Sequence, residues 1–146
     1  MSPRRQIHRL FSPPPLVPTA TCASRHATNG TVADVLVDTD VFVDHLRGAI
    51  ELRAGQHRLH YSVMTRAELF AGTMATQVVN QLLGPLREVS VDRAVAERAG
   101  RIRRETGVRL PDALIAATAL ERGLAIATRN RRDFEQVRGL RFRSLR

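Results

Sequence analysis

The chain has 146 residues, enough for one domain, and carries 23 Lys+Arg against 14 Asp+Glu for a formal net charge of +9. Every one of those bases is arginine, which excludes lysine-dependent chemistry such as P-loop ATP hydrolysis and Schiff-base catalysis. Cys22 stands alone, excluding a disulfide scaffold, and no apolar run is long enough to span a bilayer.

Residues 1–33 contain Arg4, Arg5, Arg9 and Arg25, many prolines and no acid. Such a segment buries too little apolar surface to offset its ordering entropy, so a disordered Arg/Pro-rich extension is expected ahead of a domain at 34–146. Its prolines interrupt any continuous apolar signal region, and a cytoplasmic location is expected. The β-branched run at 35–37 predicts a first strand, ending at Asp38-Thr39-Asp40. A helix follows over 41–47, and residues 60–64 predict a second strand. Thr65 then has the chemistry of a helix cap, with Glu68 completing a capping-box pattern three residues later.

A short helix over 74–83 and a strand over 86–91 come next. Asp92 caps a long amphipathic helix with Val95, Ala99 and Ile102 one turn apart, stopping near Gly107. Pro111-Asp112 opens a helix whose body is apolar on nearly every side, which predicts that it is central and buried. Gly123 ends it, residues 124–127 predict a fourth strand, 128–136 a polar turn and short helix, and 137–142 a last strand. The alternation implies an α/β fold in three layers. Its centre is a parallel sheet of four or five short strands with helices on both faces.

Functional groups of an open parallel sheet collect beyond the carboxyl ends of its strands. That rule selects Asp38, Glu68, Asp112, Asn130 and Asp133, acids and an amide far apart in sequence. Clustered carboxylates raise one another's pKa unless a cation neutralises them, and oxygen ligands with few His or Cys nearby favour Mg²⁺ or Mn²⁺. Each acid also has an ordinary structural reading: a strand-end turn for Asp38, a capping glutamate for Glu68, a first-turn acid for Asp112 and a cap of the last short helix for Asp133. Asp40 and Asp44 are expected to cap or decorate the first helix.

Three ordered segments carry a family resemblance: VLVDTDVFVDHLRG at 35–48, YSVMTRAELFAG at 61–72 and LPDALIAATALERGLAIATRNRRDF at 110–134. The chain resembles the PIN-domain ribonucleases, and within them the VapC toxins of bacterial toxin–antitoxin pairs. The resemblance implies a PIN fold and Mg²⁺-dependent hydrolysis of RNA, with Mn²⁺ as a substitute. Asp38 and Asp112 would be the principal metal ligands, with Glu68 completing the acidic site. The family's fourth acid falls 18 residues after the third, where this chain has the amide Asn130, and Asp133 is the nearest acid. Thr128 is a candidate hydroxyl donor to the first aspartate. A homodimer and a VapB-type antitoxin partner are implied as well.

The opening DTDVF also resembles haloacid-dehalogenase-type phosphatases, but their lysine and later acidic pair are missing. A third reading is a non-catalytic RNA- or antitoxin-binding module that kept the fold and lost its metal. Arg129, Arg131 and Arg132 flank the acids and are the candidates for RNA contact, since the guanidinium fork matches phosphate.

Overall fold

The computed structural model describes residues 31–145, so most of the expected N-terminal extension lies outside the described residues. Four strands form one sheet: β1 (Asp34–Val37), β2 (Arg58–Ser62), β3 (Arg87–Val89) and β4 (Ala125–Ala127). Their spatial order is β3-β2-β1-β4 and every pairing is parallel, with Leu36 aligned to His60 on one side and Ile126 on the other. Six helices accompany them among the described residues: α1 (Thr39–Leu46), α2 (Val63–Ala71), α3 (Thr76–Leu83), α4 (Arg93–Thr106), α5 (Leu110–Arg122) and α6 (Arg131–Glu135).

Alternation along β1 divides the core in two. Leu36 and Ile126 pack with Val95, Ala99, Ile102 and Ile115 of α4 and α5 and with Phe134 of α6. Val35, Val37, Leu59 and Tyr61 pack on the opposite face with Phe42 of α1, Leu69 of α2, and Val79 and Leu83 of α3. The result is the expected three-layer α/β/α arrangement. Helix α5 is the buried one: Ala113 and Ile115–Ala119 are fully covered, and four alanines let it approach the sheet and α4 closely. Helices α4 and α5 run antiparallel. Gly107 turns the chain between them at φ 75°, and Arg98–Glu121 (3.1 Å) and Arg122–Asp92 (2.6 Å) tie the two helices.

Two local expectations are corrected. Thr65 does not cap a helix: Ser62 does, its hydroxyl accepting from the Met64 amide at 3.1 Å, and α2 begins at Val63. Thr65 is instead fully buried inside α2, and Glu68 faces α1 rather than closing a capping box. The last strand also shrinks to a single parallel bridge between Ile126 and Phe142. Val137 bonds back to Phe134 and plugs the core, so only residues 141–143 lie extended beside the short β4.

Candidate functional site

The carboxyl ends of β1, β2 and β4 open onto a cleft of about 330 Å³ whose lining includes Asp38, Thr39, Asp40, Asp44, Glu68, Asp112 and Asn130 together with Arg47. Asp38 leaves β1 as the N-cap of α1. Its Oδ1 accepts the Thr39 amide at 2.7 Å and its Oδ2 accepts the Thr128 hydroxyl at 2.8 Å. The residue is only 4% exposed, so its charge is poorly solvated. Burial, reinforced by the neighbouring charges of Asp40 and Asp112, pushes the Asp38 carboxyl up to about 7 against the bonds from Thr128 and Thr39.

Asp112 sits in the first turn of α5 beneath the N-terminal amides. Burial and then the charge of Glu68 raise its pKa, with Arg109 opposing. Glu68 reaches the cleft from α2, where its Oε2 accepts the Thr39 hydroxyl at 2.5 Å. The Thr39 hydroxyl is also 3.1 Å from that of Thr65, so two threonines on adjacent helices fix the glutamate. Asp38, Glu68 and Asp112, selected from the sequence, are therefore brought together.

The remaining candidates divide. Asn130 lines the cleft, but its side-chain amide donates to Asp133. Asp133 lies outside the lining and acts on Asp112 only through its charge. Thr128 donates to Asp38, as expected. Among the arginines, Arg129 pairs with Asp44 at 3.4 Å beside the cleft. Arg131 is occupied by Glu135 and by stacking on Phe142, and Arg132 is exposed.

Sequence reasoning missed Asp40. Its Oδ2 accepts the Arg129 amide at 2.9 Å, the Asn130 amide at 2.8 Å and the Thr128 hydroxyl at 3.3 Å, so α1 holds the loop after β4. Its Oδ1 is buried without a partner. Thr39 and Thr65 were missed as well. Their only sequence signal was position, immediately after Asp38 and one turn before Glu68.

No three His, Cys, Asp or Glu side chains among the described residues form a ready-made metal cage. Mg²⁺ does not need one, because it keeps most of its waters and binds through one or two carboxylates. The donors fit such an ion: all are hard oxygens, two carboxyls are held above their ordinary range by burial and then by like charge, and one buried oxygen lacks a donor.

The family model described as PIN domain matches residues 35–140, which include every acid of the cleft. This chain belongs to the PIN-domain family. A curated relative, Ribonuclease VapC10 of Mycobacterium tuberculosis, is 38% identical over 109 residues, covering 66% of this chain and 82% of the relative. The PIN domain also superposes on solved structures. One is a DNA-bound VapBC from Salmonella typhimurium, with TM-score 0.68, 25% identity, and coverage of 79% of this chain and all of that one. Another is a toxin–antitoxin complex from Klebsiella pneumoniae, with TM-score 0.59, 29% identity, and coverage of 73% and 94%. The likeness makes this a VapC-type PIN domain.

Proposed function

We propose that the chain is a metal-dependent endoribonuclease, the toxin of a VapBC-type pair, cutting RNA at the acidic cleft. The observation that carries this reading is the convergence of Asp38, Glu68 and Asp112 at one sheet edge, with the Asp38 carboxyl pushed up in pKa by burial and then by its acidic neighbours. Asp38 and Asp112 would hold Mg²⁺ or Mn²⁺. When bound, the ion supplies an activated water and stabilises developing charge on a phosphodiester oxygen. Glu68, locked by Thr39, is placed to orient a water. Thr128 and Thr39 fix Asp38 so that both its oxygens keep one orientation.

The VapB-type antitoxin partner rests on the solved relatives, which are a toxin–antitoxin complex and a DNA-bound VapBC. Homodimerisation and a cytoplasmic setting belong to the same reading. No helix of the described residues is long and apolar enough to cross a membrane. The test compares the full chain with Asp112→Asn on structured RNA, with and without Mg²⁺. Cleavage by the parent that requires Mg²⁺, lost by about 100-fold or more in the variant, is expected, since removing one charge-stabilising group costs about 10²–10³ in rate. Equal cleavage by both proteins removes the assignment. A parent that binds Mg²⁺ yet leaves RNA intact supports the non-catalytic module instead.

A further inference from the structure

The loop after β4 offers the cleft only the uncharged amide of Asn130, and Asp133 is already engaged by that amide. We infer that Asp40, from the first turn of α1, supplies the fourth acidic group of the cation site, and that its position compensates for the amide at 130. This rests on the metal-dependent reading above.

Two observations carry it. Asp40 lines the cleft, whereas Asp133 does not. Its two oxygens are divided in role. Oδ2 accepts the amides of Arg129 and Asn130, which fixes the carboxylate in space. Oδ1 is buried with no donor, a costly state for a charged oxygen unless a cation or one of its waters completes it. The loop bonds explain why an amide is tolerated at 130: there the backbone N–H, rather than the side chain, serves the site by anchoring Asp40.

The experiment measures Mn²⁺ binding to the full chain by electron paramagnetic resonance, where free and bound ion are counted without any turnover. Asp40→Asn keeps an oxygen able to accept the loop amides while removing the charge. It is expected to weaken Mn²⁺ by about tenfold or more, with the metal-free melting temperature preserved or raised. Asp133→Asn is expected to change affinity by less than about threefold. The double variant Asp40→Asn/Asn130→Asp returns an acid to the loop and is expected to recover most of the lost affinity. Wild-type affinity in Asp40→Asn, or a larger loss in Asp133→Asn, overturns the inference. So does a parent that binds no Mn²⁺. A parent that binds Mn²⁺ through Asp40 but cuts no RNA refutes the nuclease reading and leaves this one standing.

Discussion

Replacing Asp38 by Asn should stabilise the metal-free protein and abolish its response to Mg²⁺. The side chain is 4% exposed and flanked by Asp40 and Asp112, so ionising it inside the fold is opposed by burial and then by like charge. The interval from the ordinary 3.8 to about 7, at about 1.4 kcal/mol per pH unit, caps the penalty near 4 kcal/mol. The sign follows from proton counting. Below pH 4 both folded and unfolded Asp38 are protonated and no penalty exists. Between pH 4 and 7 the unfolded chain gives up the proton while the folded site keeps it, so stability falls as pH rises. Above 7 the loss is complete.

Asn is nearly isosteric, serves equally well as an N-cap, and can keep partners in the Thr39 amide and the Thr128 hydroxyl. At pH 8 in chelator the variant should therefore gain about 2–4 kcal/mol in urea melts, with the difference vanishing towards pH 4. Saturating Mg²⁺ should close that gap, because a ligand at about 1,000 times its Kd adds about 4.1 kcal/mol to the parent alone. A variant less stable than the parent at pH 8 without metal, or a difference independent of pH, would refute the account of Asp38.

Thr128→Val removes the hydroxyl that holds Asp38 down, so the Asp38 carboxyl should rise further. The Mg²⁺-induced increase in melting temperature should then need a higher pH to appear. Thr39→Val leaves Glu68 free and the buried Thr65 hydroxyl without its neighbour, costing about 1–3 kcal/mol in urea melts, while Thr39→Ser should recover most of it. Ile115→Ala opens a cavity beneath α5 in the main core and should cost about 2–5 kcal/mol without altering Mg²⁺ affinity in the surviving folded fraction.

The layers of the fold were legible because each depends on a local pattern. The valines of β1, the Asp92 cap of α4 and the alanine-rich body of α5 each declare an element by periodicity or end chemistry. The start of α2 was misread because Ser62 and Thr65 are both competent caps, and only tertiary burial decides between them. Thr65 lies against α1 across the core, which no local pattern encodes. The last strand failed for a related reason: residues 137–142 have strand-like composition, but Val137 is needed as a core plug.

The site was legible where the strand-end rule applied, at Asp38, Glu68 and Asp112. Asp40 was hidden because, two residues from Asp38 on a helix start, it has the look of an ordinary first-turn acid. Its distinguishing feature is a set of bonds to a loop about 90 residues away in sequence, created when β4 pairs beside β1.

Charge connects the cleft to the rest of the chain. Asp38, Asp40, Asp44, Glu68 and Asp112 share the cleft with Arg47, leaving nine acids against 17 arginines elsewhere among the described residues. A polyanion is attracted by that excess across roughly a Debye length, about 8–10 Å at physiological salt. The cleft itself repels it: each phosphate brought there meets carboxylates, one of them buried and already resisting ionisation. A net basic domain with a net acidic cleft therefore favours a polyanion that stops at the rim. Neutralising the carboxylates with a divalent cation converts the same geometry into one that draws a phosphate inward, so metal binding and substrate entry are expected to be linked steps at this site.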